Sequence, residues 1–439
     1  MIGLWMFVGA LILLMIGFPV AFAFGTAALV TAWLTPDIGL EIFRLLPYRI
    51  WGIMQNFTLI AVPLFIFMGL ILERSKIAES LLVNVGKLFG NIRGGLAIST
   101  VVVGAVLAAS TGIVGASVVM MSIISLPIMV RHGYDKRLSS GVIAASGTLG
   151  QIIPPSIVLI ILGDVMSISV GDLFKAAVGP SLLLVALYIL YILILTRFRP
   201  ELAPPILSDV PRRETVIRAL RSIFAPAMLI LLVLGSIFMG IATPTESAAF
   251  GSVGAILLTI ANRVFSLRDL YHSALETVKL TAMIFMILIG ATAFSLTFNE
   301  VGGSDMVLSF FTDDIADGWI FIGISMLSIF LLGFFVDFLE ICFIVIPILV
   351  PIVGAFGIDP LWFAILVAMN LQASFLTPPF GFALFYLKGA SGDLVGTADI
   401  YRGVVPFILL QILALIIIIN FPELVRLFVS DRQSTRARR

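Results

Sequence analysis

The chain has 439 residues, 60% hydrophobic and 12% charged, with a net charge of +1. A soluble protein is about 25% charged, so this composition excludes a water-soluble fold, and its near-neutral balance gives no bulk attraction to nucleic acid or acidic partners. One cysteine (Cys342) and two histidines (His132, His272) exclude a disulfide framework and argue against a thiolate or imidazole metal centre; Cys342, in an apolar run, reads as a small core residue.

The N-terminus is apolar at once, without a basic n-region or an Ala-x-Ala site, so no cleaved signal is expected. In chain order, apolar runs predict crossings near 3–17, 18–34, 52–72, 139–165, 174–196, 223–241, 246–262, 279–298, 362–388 and 401–425. The first two are either separate crossings or one long helix; the break at Thr243-Pro244-Thr245-Glu246 between their second-half counterparts favours two. Glu246 itself, in Pro-Thr-Glu-Ser, reads as a helix cap. Runs 97–130 and 319–352 are interrupted centrally by small or polar residues, leaving arms of about 15 residues, too short to span. Each run therefore predicts a re-entrant helical hairpin, the alternative being one long tilted helix. Segments 73–96 and 300–317 are amphipathic and predict helices lying in the interface plane as arms for the hairpins. Asp164 and Asp172 flank an outer turn and read as solvated. Residues 197–221, with Pro200, Pro204, Pro205 and Pro211, form a polar linker, and no soluble domain is expected.

The chain also contains itself twice. Pro154-Pro155 and Pro378-Pro379 lie 224 residues apart, and the same offset pairs Pro127 with Pro351, Gly133 with Gly357, and Asp135 with Asp359. The expected organisation is a first repeat over 1–196 (hairpin 97–130, broken helix 139–165), a cytoplasmic linker 197–221, a second repeat over 222–428 (hairpin 319–352, broken helix 362–388) and a basic tail 429–439. Five crossings per half, an odd number, give the repeats inverted topology. Charge fits this count: Arg74, Lys76, Lys87, Arg93, Arg131, Lys136, Arg137 and the linker arginines fall on one side, which is then cytoplasmic. The acidic segment 299–318 falls on the other, as do Trp5, Trp33, Trp51, Trp319 and Trp362 as interfacial anchors. The tail, with Arg432, Arg436, Arg438 and Arg439, disagrees, because the count places it outside.

The fold class expected is an all-α polytopic membrane protein of two inverted repeats, each with a re-entrant hairpin and a discontinuous helix. Matched broken helices point to a transporter with a mid-membrane site. A proline pair removes two backbone donors, and in lipid the freed carbonyls need partners. Here the breaks carry Thr148, Gly150, Gln151 and Ser156 in one half and Asn370, Gln372, Ser374 and Thr377 in the other, so carbonyls and side-chain oxygens together suit a hard cation; a structural kink is the alternative. The first hairpin tip, Ser110-Thr111-Gly112-Ile-Val-Gly115-Ala-Ser117, aims helix amides at the midplane, which attracts an anion, or it serves close helix packing. The second carries Asp337 and Glu340. Asp337 coordinates a cation, carries a coupling proton, or caps the second arm; Glu340 belongs to the site or to the tip surface. There is no phosphate-binding Gly-x-x-x-x-Gly-Lys-Ser/Thr loop and no hydrolase, kinase or metalloprotease signature, so uphill transport draws on an ion gradient.

Gly147-Thr-Leu-Gly-Gln-Ile-Ile-Pro-Pro-Ser-Ile157, and Asp359-Pro360 followed by Asn370 and Thr377-Pro378-Pro379-Phe-Gly381, resemble the motifs of the large membrane subunit (DctM type) of tripartite ATP-independent periplasmic (TRAP) transporters. The resemblance covers essentially the whole chain. It implies a scaffold domain plus an elevator-type transport domain in a bacterial inner membrane. It also implies sodium-coupled import of an organic acid delivered by a periplasmic binding protein, and a separate small four-helix membrane subunit as partner. No cofactor beyond the coupling sodium and no catalytic residue is implied. By matching motif, one ion region falls at Ser110, Thr111, Gly112 and Gly150 and a second around Asp337, Asn370 and Thr377. The substrate lies between hairpin tips and broken helices, where Ser117, Thr148, Gln151, Pro154 and Pro155 stand in one half and Gln372, Ser374, Pro378 and Pro379 in the other. The stretch Asn370-Leu-Gln372-Ala-Ser374-Phe-Leu-Thr377 departs from the family's Asn-x-x-Ile-Gly-x-x-Thr. A stand-alone dicarboxylate/sodium symporter of similar repeat design is the nearest rival; a channel lacks coupling, and an intramembrane enzyme would have only Asp337 with Glu340 as a catalytic pair.

Overall fold

The computed structural model describes residues 2–429 apart from Lys76, Asn91, Ile113 and 206–211, and the side chains of Ala78, Glu79, Ser110, Thr111 and Arg212 lie outside the description. The expected basic tail from residue 430 on, and the centre of the linker, fall outside it as well. The described residues are helical throughout, with no strand among them.

The first half opens with α1 (Ile2–Ile16) and α2 (Val20–Leu34). Two helices form rather than one because Gly17 adopts φ 100° and Pro19 has no N–H to continue the ladder. The crossing expected at 52–72 is displaced: α3 (Leu46–Met54) stops at Gln55, and α4 (Phe57–Arg74) restarts with Asn56 as its cap, the Asn56 side chain accepting from Thr58 N–H at 3.0 Å. The arm is α5 (Ile77–Phe89). The first hairpin is α6 (Gly95–Thr111) and α7 (Val114–Arg131), turning at Gly112, whose φ of 60° suits a residue without a Cβ. The broken helix is α8 (Lys136–Thr148) and α9 (Ile157–Val165), followed by α10 (Val170–Phe198).

The second half repeats the plan with α11 (Arg212–Phe238), α12 (Pro244–Ala261), α13 (Leu267–Glu300), α14 (Gly303–Ser309) and a hairpin of α15 (Gly318–Leu332) with α16 (Phe338–Glu340), a π turn and α17 (Ile346–Ala355). Its broken helix is α18 (Pro360–Leu376) and α19 (Phe382–Ser391), and α20 (Thr397–Asn420) and α21 (Glu423–Arg426) complete it. The stretch expected as the polar linker, 197–221, overlaps α11, which begins at Arg212 and in which Arg218 and Glu214 pair one turn apart. Thr243 and Glu246 close a capping box at the start of α12, Glu246 accepting from Thr243 N–H at 2.8 Å.

Helices pack in exchanged pairs. In one cluster α2 lies against α13 while its counterpart α12 lies against α4; in the other, α7 packs on α19 and the second hairpin on α9. The inverted relation extends to detail. Gly133 (φ 76°) and Gly357 (φ 63°) both turn the chain, and Asp135 and Asp359 both cap the helix that follows. Both proline pairs have a cis bond. Gln372 donates to the hydroxyl of Thr148, 224 residues away, at 3.4 Å, so repeat-equivalent residues meet at the approximate two-fold axis.

The basic segments share one face: Gly94 N–H donates to Ala203 O at 3.1 Å, Asp135 N–H to Leu202 O at 2.8 Å, and Thr196 Oγ1 to Arg93 O at 3.4 Å. Trp5, Trp33, Trp51 and Trp319 are exposed, as anchors require. Trp362 is not. It packs edge-on against Trp319 and donates its indole N–H to Ile418 O at 3.1 Å, because α20 covers it.

Candidate functional site

Four helices begin at one place. The first residues of α7 (Val114, Gly115), α9 (Ile157), α16 (Phe338, Leu339) and α19 (Phe382) all line a cavity of about 170 Å³ between the two hairpin tips and the two breaks. Its remaining walls come from Gly112, Asp337, Phe375 and Tyr386, and from α4 and α13 through Ile66, Leu280, Met283 and Ile284. The first turn of a helix has unsatisfied amides and a positive dipole end, so converging N-termini create a positive potential without a basic side chain. No lysine or arginine lines this cavity.

Close packing at the tips depends on glycine. A Cβ at Gly115 would lie 2.8 Å from the Tyr386 ring, so the tyrosine seats on the first tip only because that side chain is absent. A Cβ at Gly112 would lie 3.4 Å from Pro155 O, and one at Gly150 would lie 3.7 Å from Ala108 O. Tip and break of the first half therefore present the Ala108 and Pro155 carbonyls beside Gly112 and Gly150. The hydroxyls of Ser110 and Thr111 lie outside the described residues.

Of the second ion set, Asp337 is half-buried, lines the cavity and caps α16, accepting from Phe338 N–H at 2.8 Å. Asn370 and Thr377 do not line the cavity. Asn370 donates to Met326 O of α15 at 2.6 Å, and Thr377 Oγ1 to Ala373 O at 2.7 Å, so these groups tie the hairpin and the helix end in place. Glu340 is buried, with Oε2 lacking a partner among the described residues.

None of the nine residues expected around the substrate lines the cavity. Ser117, Thr148, Gln151, Gln372 and Ser374 are buried behind it, and Ser374 donates to Leu371 O at 2.8 Å. Both amide atoms of Gln151 lack a partner among the described residues. Pro154 and Pro155 are buried, Pro378 is half-buried, and Pro379 is exposed with its carbonyl accepting from Tyr401 at 3.0 Å. Sequence reasoning ranked polar residues near the breaks, whereas the walls are mostly apolar helix starts. The lone Tyr386 inside Ala-Leu-Phe-Tyr-Leu was the available signal for the missed group.

Asp164 corrects a further expectation. It is not simply solvated: Asn56 Nδ2 donates to its carboxylate at 2.5 Å, because the gap between α3 and α4 meets the end of α9.

Inverted repeats with paired hairpins and paired helix breaks define a secondary-transporter architecture. The model of the family described as the DctM component of tripartite ATP-independent periplasmic transporters matches residues 7–424. The chain belongs to this family: it is a large permease subunit, a multi-pass membrane transport protein and not an enzyme. It is 31% identical over 382 residues to the C4-dicarboxylate TRAP transporter large permease of Pseudomonas aeruginosa, covering 86% of this chain and 88% of that protein. It is 29% identical over 416 residues to the sialic acid TRAP transporter large permease of Vibrio cholerae, covering 94% and 95%. Its fold is similar to that of the Alcanivorax borkumensis YdaH transporter, with TM-score 0.61 at 14% identity over 97% of this chain and 99% of that one.

Proposed function

We propose that the chain imports a small organic acid across a bacterial inner membrane, coupled to sodium. The observation that carries this reading is the cavity where four helix N-termini face one carboxylate, Asp337. Helix N-termini suit a substrate carboxylate. Asp337 opposes a second negative charge in the same small space, so anion binding calls for a cation beside it. That requirement makes uptake of acid and sodium mutually dependent, with the Ala108 and Pro155 carbonyls near Gly112 and Gly150 as further cation ligands. About 170 Å³ lies below the range of about 300–1,000 Å³ typical of small-ligand pockets, which favours an acid of a few carbons over a sugar acid. Its relatives carry C4-dicarboxylate and sialic acid. The partners are a small four-helix membrane subunit and a periplasmic binding protein that delivers the acid. The cluster of α6–α10 with α15–α20 moves as an elevator against α1, α2, α4 and α11–α13.

The test is reconstitution with both partners in proteoliposomes and a screen of labelled organic acids under an imposed sodium gradient. Accumulation that needs sodium and the binding protein supports the reading; sodium-driven uptake without the binding protein returns the stand-alone symporter. Asp337→Asn is expected to lower sodium-stimulated uptake at least about tenfold, the effect of losing about 1.4 kcal/mol of binding, while membrane insertion is kept. Unchanged sodium dependence in that variant removes Asp337 from the coupling site.

A further inference from the structure

A second cavity, of about 320 Å³, lies on the basic face beneath α5, bounded by that arm and by both arms of the first hairpin. Its walls are Leu82 and Val83 of α5, Leu96 of α6, and Ile128 and Met129 of α7. The hydroxyls of Ser99 and Thr100, which also line it, donate to backbone carbonyls of their own helix. Ser125 Oγ is buried there without a partner among the described residues. At the exposed rim stand Lys87 and His132. Lys87 has no ion-pair partner among the described residues, and His132 donates Nδ1–H to Ile128 O at 2.8 Å, so its Nε2 meets a phosphate oxygen as the N–H of the imidazolium form. No aspartate or glutamate lines the space.

From this arrangement we propose that the cavity is a site for an anionic membrane phospholipid, one acyl chain lying between α5 and the hairpin and the headgroup phosphate at Lys87 and His132. The volume falls within the range of about 300–1,000 Å³ typical of small-ligand pockets, and it excludes a partner helix, which is about 10 Å across. An amphipathic arm in the interface plane borders acyl chains. Basic pockets between helices on the cytoplasmic face select anionic headgroups. The arm packs on α11 as well, where Asn84 donates to Ser222 at 2.6 Å. A bound chain therefore lies beside the direct packing of α6 on α5 and α11.

The experiment is native mass spectrometry of the purified full chain titrated with phosphatidylglycerol or phosphatidylcholine of the same acyl chains. One equivalent of phosphatidylglycerol is expected to be retained about tenfold more strongly, because its headgroup carries a net negative charge that the choline ammonium cancels in phosphatidylcholine. Ser125→Leu, which fills the cavity, should remove that equivalent. Val83→Phe, filling it from the arm, serves if Ser125→Leu does not fold. Lys87→Gln combined with His132→Gln should reduce phosphatidylglycerol to the phosphatidylcholine level and leave phosphatidylcholine unchanged. Equal retention of the two lipids by the wild-type chain, or retention unaffected by both filling variants, overturns the proposal.

Discussion

A Cβ placed at Gly333 would lie 2.2 Å from Ser374 Oγ and 2.7 Å from Ser374 Cβ, so the end of the second hairpin's first arm rests directly on the buried stretch of α18. Neither partner has room to retreat, because Ser374 is fully buried and its hydroxyl is bonded within its own helix. Gly333→Ala is expected to destabilise by about 1–3 kcal/mol through overpacking, and Ser374→Gly to recover most of that loss. A thermal-stability double-mutant cycle in detergent measures both; losses that simply add would mean that the two do not touch. This contact shows how residue-level meaning was hidden in the sequence. Ser374 and Asn370 stood out as polar groups in an apolar run, but what each meets comes from α15 or its end, some 40 residues away in the chain. A polar residue beside a helix break reads as a ligand from sequence alone, and the structure adds that the Asn370 amide also donates to the hairpin backbone.

The elements themselves were legible because bilayer thickness and helix-breaking residues act locally. Hairpin tips at Gly112 and next to Asp337, and breaks at both proline pairs, fall where small residues and missing donors put them. What escaped was set by packing between distant elements. The repeat equivalent of the gap at Gln55-Asn56 is continuous in α13, so the offset alone gave no sign that α3 and α4 separate. That gap places Asn56 where it caps α4 with its oxygen and reaches Asp164 with its amide. The contact joins α4, in the cluster with α2, α12 and α13, to α9, in the cluster with the hairpins. If the two clusters slide past each other during transport, this bond breaks in each cycle. Replacing Asn56 and Asp164 together by cysteine and bridging them with mercuric ion is expected to stop uptake, with recovery on adding excess thiol. Cys342 is buried and does not compete. Undiminished uptake by bridged protein, the bridge verified by mass, would mean that α9 stays with α4 throughout.

Across the whole molecule the repeats share a plan but not a conformation. Ser156 and Phe380 are repeat equivalents, each two places past the first proline of its pair, yet Ser156 is 0% exposed and Phe380 45%. The same holds for the prolines: Pro155 is buried and Pro379 exposed. The 224-residue offset made the duplication and its inverted sense readable, because an odd number of crossings forces the second copy to enter from the opposite side. It carried no information on which copy is open, since an offset aligns the two breaks at Pro154-Pro155 and Pro378-Pro379 without giving the packing around either. Inverted repeats offer a simple route to alternating access, in which the two copies exchange their arrangements and the site faces the other side. The buried break is then the one that opens next. Ser156→Cys and Phe380→Cys, examined separately with a membrane-impermeant maleimide from each side, should show reciprocal labelling: Phe380→Cys reacting in the arrangement seen here, and Ser156→Cys reacting, from the opposite face, in the fraction of molecules that has crossed over. Conditions that raise one rate should lower the other. A Ser156→Cys thiol that stays unreactive from both faces while transport proceeds would exclude an exchange of roles between the halves and leave the first break as a permanently closed structural hinge.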